Sequence, residues 1–248
     1  MENNKKTALI TGSSRGIGEA SAKALAKSGF STIAITARKD NEGLIKVKSD
    51  IEKDFPETKV LTYLGDVADE AFIDQLSKDI LEKEGRLDVL VNNAAVSYVG
   101  LLQDMTITEW QRIMNVNLTS VFLLSRAFIP SMLQNGGGRI INISSMWGRV
   151  GASCEAAYSA SKGGVEALTK SLAKELSRSS IAVNAIAPGV VDTVMNDNLS
   201  DEEKEALSEE IPLGRFATAE EIADLVCYLS NAPFYLTGQV IGIDGGFI

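Results

Sequence analysis

The chain has 248 residues, 45% of them apolar and 23% charged, with a formal net charge of −9, two cysteines and no histidine. That length and apolar content suit one sizeable core, and the acidic balance opposes the basic footprint that phosphate backbones select, so nucleic acid is not an expected partner. Without histidine there is no Ser/His/Asp or Cys/His nucleophile and no HExxH metal site, which leaves acid/base work to Tyr, Lys, Asp, Glu or Cys.

The polar residues Met1 to Lys6 run directly into an apolar strand-like segment, Thr7 to Thr11, with no hydrophobic core of a signal peptide between them. No apolar stretch reads as a bilayer span, so no membrane is expected and the cytoplasm is the expected compartment. TGSSRGIG, Thr11 to Gly18, then opens a helix from Gly16 to Lys27. Gly12, Gly16 and Gly18 permit a tight turn, close approach of a pyrophosphate to backbone N–H groups and close helix packing, while the helix N-terminus favours the anion. Ser14, Arg15 and Ile17 complete this loop, and the lack of a GK[ST] ending disfavours a nucleotide triphosphatase.

The next strand, Thr32 to Thr36, leads to Arg38. In dinucleotide folds an acid about 20 positions beyond the glycine loop grips the ribose of NAD, whereas an arginine nearby accommodates the 2′-phosphate of NADP. Here Thr36 and Ala37 supply no carboxylate, Lys39 adds positive charge, and Arg15 reaches the same phosphate from the other side, so NADP(H) is the expected cofactor. A helix from Glu42 to Asp54 and a strand from Val60 to Tyr63 end in Asp66 and Val67. Asp66 has two readings, as acceptor for the adenine amine or as N-cap of the helix Asp69 to Glu84. The strand Val89 to Val91 runs into Asn92, Asn93, Ala94 and Ala95. Two consecutive amides after a buried strand must find hydrogen-bond partners, and small Ala94 can lie flat beneath a cofactor.

A long helix, Thr108 to Gln134, carries Asn117 in its apolar middle; Gly136 to Gly138 turn the chain into the strand Arg139 to Ile143, which ends at Ser144 and Ser145. Cys154 and Cys227 lie far apart without CxxC spacing, which argues against a disulfide framework or thiolate site, and no metal is expected. The helix Ala156 to Ser177 carries YSASK, placing Tyr158 and Lys162 four apart on one face. Lys162 and an oxidised nicotinamide would lower the phenol from its ordinary value near 10, making Tyr158 an acid for carbonyl reduction and a base for alcohol oxidation. Ser145 would hydrogen-bond the same substrate oxygen. The strand Ala182 to Ala187, the charged stretch Asp201 to Glu210 (a solvated helix or lid), the helix Ala219 to Leu229 and the strand Gln239 to Ile243 complete the chain. Apolar strands alternating with amphipathic helices predict an α/β fold, a single-domain, doubly wound (Rossmann) parallel sheet of about seven strands over residues 1–248, with helices on both faces and ligands beyond the carboxyl ends of the strands.

TGSSRGIG, NNAA, Asn117, Ser145, YSASK and PGVVDT (Pro188 to Thr193) together resemble the short-chain dehydrogenases/reductases, in that family's order and spacing over nearly the whole chain. The resemblance implies a catalytic tetrad of Asn117, Ser145, Tyr158 and Lys162. Lys162, with Tyr158, would also bind the nicotinamide ribose, Asn117 would hold a water in a proton relay, and Pro188, Gly189, Val190, Val191 and Thr193 would border the carboxamide. Two positions depart from the pattern: Ala95 replaces a usual glycine, and Glu155 stands on the substrate side before Tyr158. SRGIG, VNLTSVF, GRIINISS, SLAKEL and GQVIGIDGG are similar to bacterial 3-oxoacyl-[acyl-carrier-protein] reductases. This implies an acyl-thioester substrate, acyl carrier protein as a candidate partner and a homotetramer. Sugar, polyol and steroid dehydrogenases share most of these strings, and a non-catalytic NADP-binding sensor is the alternative from another class. The carrier-docking arginines of the resembled reductases are replaced by Gly136, Gly137, Ser179 and Ser180; Arg139, Lys170, Lys174 and Arg178 stand nearby as substitutes, and Glu155 would repel anionic substrates. The residues that separate these substrates lie in Met146 to Cys154 and Thr193 to Ile211.

Overall fold

Short runs rich in Val, Ile and Ala pair side by side into one sheet: β1 (Thr7–Ile10), β2 (Thr32–Ala37), β3 (Lys59–Leu64), β4 (Val89–Asn92), β5 (Gly138–Ile143), β6 (Ile181–Pro188) and β7 (Val240–Ile243). Their order is β3-β2-β1-β4-β5-β6-β7 and every pairing is parallel. The structure is a computed structural model and describes residues 5–194 and 200–248. β1, β2, β4 and β6 are buried at every position, as expected for strands covered on both faces, whereas the edge strands β3 and β7 are partly exposed.

One face is covered by α1 (Gly16–Lys27), α2 (Asn41–Asp54) and α9 (Ala219–Asn231), which bury Leu25, Leu44, Ile51, Ile222 and Val226 against Ile10, Ile33 and Ile35. The other is covered by α3 (Glu70–Glu84), α5 (Ser120–Gln134) and α7 (Ala156–Glu175), which bring Ile73, Leu76, Ile80, Leu124 and Phe128 against Leu9, Leu90, Ile140 and Val183. The chain winds outward from β1 through β2 to β3, then returns to place β4 on the other side of β1. The crevice at that reversal is where a doubly wound sheet holds its ligand.

The sequence reading of one helix from 108 to 134 is corrected. The segment is α4 (Ile107–Met114), a π-turn (Asn115–Thr119) and α5, and the widened turn falls on Asn117, whose side chain bonds outside its own helix. By length and composition the run 107–134 is also apolar enough to cross a membrane, contrary to expectation, but more than half of its most apolar window is buried inside the fold. The charged stretch forms α8 (Asp201–Glu210), capped by Ser200 and with no buried residue, which is the solvated helix the sequence indicated. The short α6 (Trp147–Val150) and a 3-10 turn at Leu102–Asp104 were not foreseen. Met1 to Asn4, and residues 195–199 of the substrate-side stretch, lie outside the described residues.

Candidate active site

The glycine loop and the loop after β4 are tied together at the reversal. Thr11 Oγ1 accepts from the backbone N–H groups of Asn93 and Ala94, both at 3.0 Å, and Asn93 Nδ2 donates to the carbonyls of Thr11 (2.9 Å) and Gly12 (3.0 Å). Asn92 Nδ2 donates instead to Asn142 Oδ1 in β5, while Asn92 Oδ1 is buried without a partner among the described residues. The tie leaves no room for side chains. A Cβ on Gly12 would stand 2.9 Å from Ala94 Cα, and one on Gly18 would stand 2.3 Å from the Gly12 carbonyl oxygen. Gly12 and Gly16 also hold φ of +64° and +58°, a region glycine occupies without cost. α1 has no side-chain cap, and its first two residues, Gly16 and Ile17, line the crevice, where an uncapped helix start suits an anion.

The crevice is a cleft of about 860 Å³. Every residue expected to touch cofactor or substrate lines it except Gly18, which packs behind the loop, and Asn117. Arg15, Arg38, Lys39 and Arg112 line the end beside β1, β2 and α4. Two functional side chains there were missed in the sequence. Asp40 caps α2 by accepting from Gly43 N at 3.0 Å, and that bond, with the Ser14 hydroxyl and the Arg15 charge, holds its carboxyl below the ordinary range. Arg112 Nη1 lies 2.7 Å from Asp66 Oδ2, while Asp66 Oδ1 accepts from Ala68 N at 3.0 Å. Burial opposes ionisation of Asp66, but these two bonds prevail and keep its pKa low. The N-cap reading of Asp66 is corrected: α3 is capped by Asp69, three residues on, and Asp66 faces the cleft.

At the other end stand Ser145, Tyr158 and Lys162. Tyr158 is 9% exposed and Lys162 2%. Lys162 Nζ donates to the carbonyl of Ile143 at 2.7 Å and lies 5.6 Å from the Tyr158 ring centroid. The expectation that Lys162 lowers the phenol does not hold in this geometry. Burial pushes Tyr158 up to about 12, the Ser145 hydroxyl pulls it down and the Glu155 charge adds to the rise. Burial also brings Lys162 down to about 8. Of the two serines, Ser144 is turned inward to Glu166 Oε1 (3.0 Å) and Lys162 O (3.2 Å), leaving Ser145 to face the cleft. Asn117 works from behind: its Oδ1 accepts from Val96 N (2.8 Å) and its Nδ2 donates to Val96 O (2.9 Å) and Ser161 Oγ (3.1 Å). These bonds pin the π-turn to the loop after β4 and to α7, and hold the frame on which Tyr158 and Lys162 ride.

The substrate end is walled by Val96, Val99, Met146, Trp147, Val194 and Leu207, with Glu155 beside Tyr158. Arg139 does not serve this mouth. It belongs to the start of β5, at the opposite end of the sheet, where Nη2 donates to Ala232 O at 2.7 Å and the guanidinium lies 4.2 Å from the Phe234 ring centroid. The reading of Arg139 as a substitute docking cation at the cleft is therefore withdrawn for the single chain.

Burying the Lys162 ammonium links stability to pH. The folded chain gives up this proton near pH 8 and the unfolded chain near 10.5, so in that window the unfolded state binds more protons and stability rises with pH. Relative to Lys162→Met, wild type should gain up to a few kcal/mol across the window, at ~1.4 kcal/mol per pKa unit. Denaturant midpoints measured at several pH values check this, and a difference that does not vary with pH would overturn it.

A family model described as short chain dehydrogenase matches residues 6–204. The 3-oxoacyl-[acyl-carrier-protein] reductase FabG of Thermotoga maritima is 40% identical over 245 residues, covering 98% of this chain and 98% of that protein. The 3-oxoacyl-[acyl-carrier-protein] reductase of Synechocystis sp. is also 40% identical, covering 98% of this chain and 97% of that one. Among solved structures, a variant of actinorhodin polyketide ketoreductase with NADPH matches with a TM-score of 0.91 at 34% identity, over 98% of this chain and 97% of that one. A structure described as an NAD(P)-dependent gluconate 5-dehydrogenase from Beutenbergia cavernae, with bound NADP, matches with a TM-score of 0.91 at 35% identity, over 98% and 96%. With its reversed sheet order, its glycine cradle and the Ser145, Tyr158 and Lys162 cluster at one cleft, the chain belongs to the short-chain dehydrogenase family.

Proposed function

We propose that the chain is an NADPH-dependent reductase of 3-oxoacyl thioesters, working as one domain over residues 1–248. The observation that carries this reading is a single cleft with four cations at one end and a buried Ser145, Tyr158 and Lys162 cluster at the other. The residues fit the cofactor: the space kept open by Gly12 and Gly18 suits a pyrophosphate, Arg15 and Arg38 suit a 2′-phosphate, and Asp66, held by Arg112, keeps acceptor capacity for adenine. Val67, Asn93, Ala94 and Ala95 would wall its middle, and Pro188, Gly189, Val191 and Thr193 the carboxamide end. Bound NADPH supplies a hydride to the substrate carbonyl. Tyr158 holds the proton for the carbonyl oxygen, and a phenol raised to about 12 is fully in its donor form at neutral pH. The Ser145 hydroxyl would bond the same oxygen, and Lys162, held by the carbonyl of Ile143, would bind the nicotinamide ribose. Asn117 is a positioning residue whose π-turn backbone would hold the water of a proton relay.

A sensor that binds NADPH without turnover has no use for a buried amine and phenol that cost stability to hold. The 40% identical relatives that are 3-oxoacyl-[acyl-carrier-protein] reductases favour an acyl thioester over a sugar or steroid ketone, with acyl carrier protein as the donor and the cytoplasm as the compartment. We also propose a homotetramer. β7 has an unpaired outer edge among the described residues, and Phe122 and Leu133 of α5 are 46% and 47% exposed.

Acetoacetyl groups on the carrier protein and on a short pantetheine mimic should both be reduced with NADPH, and Tyr158→Phe should abolish turnover of each while NADPH still binds. Rapid reduction of a sugar or steroid ketone with neither thioester reduced would overturn the substrate assignment. NADPH should be preferred over NADH by 100-fold or more, about 3 kcal/mol for charge-assisted contacts, and Arg38→Asp should erode or reverse this. Equal kcat/KM for the two cofactors in wild type would remove Arg38 and Arg15 from that role. Light scattering at micromolar concentration should give a mass of four chains, and a monomer would refute the assembly.

A further inference from the structure

We propose that Glu155 is the specificity-determining residue of the substrate end: its carboxylate admits neutral substrates, favours those with an N–H or O–H donor near the ketone, and rejects those with a negative charge there. This rests on the reductase reading above and narrows its substrate class. Glu155 occupies the N-cap position of α7, yet its side chain makes no capping bond, unlike Asp40, Asp69, Thr106, Ser200 and Thr218 at the starts of α2, α3, α4, α8 and α9. It lines the cleft instead, one helical turn before Tyr158 and so on the same face of α7. Among the described residues its carboxylate has no hydrogen-bond or ion-pair partner.

Among the described residues no cation forms an ion pair with Glu155. Arg15, Arg38 and Lys39 belong to the loops after β1 and β2, Arg112 is bonded to Asp66, and Lys162 is bonded to the carbonyl of Ile143. Val96, Met146, Trp147 and Leu207 give this end apolar walls beside Glu155, whose carboxyl is half-buried and has its pKa raised by that burial. Burial is the main cause of the raised Tyr158 pKa, and the Glu155 charge one turn away adds to it. A substrate carboxylate beside the ketone would face like charge in this partly buried site. An amide N–H, as in a pantetheine arm, would meet a charge-strengthened acceptor.

The test is kcat/KM with NADPH for acetoacetate, the ethyl thioester of acetoacetate and its N-acetylcysteamine thioester. These are respectively anionic, neutral without a donor, and neutral with an amide N–H. They are compared in wild type, Glu155→Gln, which keeps an acceptor but no charge, and Glu155→Ala, which keeps neither. Both variants should raise the acetoacetate-to-ethyl-thioester ratio tenfold or more. Glu155→Ala should also lose the preference for the N-acetylcysteamine thioester, which Glu155→Gln keeps in part. A ratio unchanged in both variants while wild type reduces the thioesters overturns the role of Glu155 alone. Failure of wild type to reduce any of the three overturns the reductase reading and this inference with it. A readout without turnover is the tyrosinate absorbance titration, each protein measured against its own Tyr158→Phe counterpart. The Tyr158 phenol should ionise at lower pH in Glu155→Gln, and an unmoved titration would separate Glu155 from the acid and overturn the proposal.

Discussion

The bond pattern at Thr11 and Asn93 is the constraint on which the site depends. β1 and β4 become neighbours only because the winding of the sheet reverses between them, and at that reversal the loops leaving the two strands would otherwise part. Thr11 Oγ1 and Asn93 Nδ2 hold them in contact through four hydrogen bonds, at 2.9 to 3.0 Å. Once the loops are held so close, Gly12 and Gly18 are obligatory for the protein's own packing. The glycine cradle therefore has a structural cause besides the approach of a phosphate. The same closeness sets Gly16 and Ile17, the start of α1, against the crevice, so one set of bonds shapes both the pocket and the helix start that lines it.

A second constraint runs from Asn117 to the acid. Three bonds from its side chain join α4 and α5 to the loop after β4 and to α7, at the cost of one widened helical turn. α7 in turn carries Ser161, which accepts from Asn117, between Tyr158 and Lys162. Displacing Asn117 would loosen the helix that aims the phenol and the ammonium, without touching either group. Ser144, bonded to Glu166 and to the carbonyl of Lys162, fixes the end of β5 to the same helix from the other side. The buried amine and phenol are thus held between two anchors, and the stability lost in desolvating them is offset by these bonds and by the packing of α7.

The seven strands were legible because each is an apolar run too short for a helix and bounded by turn residues, and most positions lining the cleft were legible because strand ends carry the ligands in such a sheet. What escaped depends on contacts distant in sequence. Arg112 reads as an ordinary charge on an amphipathic helix, and only folding brings it to Asp66, 46 residues earlier. Asp66 and Asp69 compete for one cap, and local sequence cannot say which of them α3 takes. The break at Asn115–Thr119 follows from bonds to Val96 and Ser161, while the surrounding residues keep a good helical pattern. Arg139 was misplaced for a related reason. It lies before the apolar run of β5, hence at the amino end of the strand, and the cleft opens at the carboxyl ends.

Charge is divided along the cleft in a way that the net value conceals. A chain of −9 repels a dinucleotide phosphate at long range, yet Arg15, Arg38, Lys39 and Arg112 gather at one end of the cleft. Screening over a Debye length of about 8 Å at physiological salt silences most of the distant carboxylates, and at this end the four cations outnumber the carboxylates of Asp40 and Asp66. At the other end the charged groups are one of each sign, the Glu155 carboxyl and the Lys162 ammonium, so the excess of cations is confined to the first end. The proposed orientation of the cofactor, phosphates toward the four cations and nicotinamide toward Tyr158, is the one this division of charge favours. The end that would be buried against Tyr158 is then the end that brings no phosphate to be desolvated.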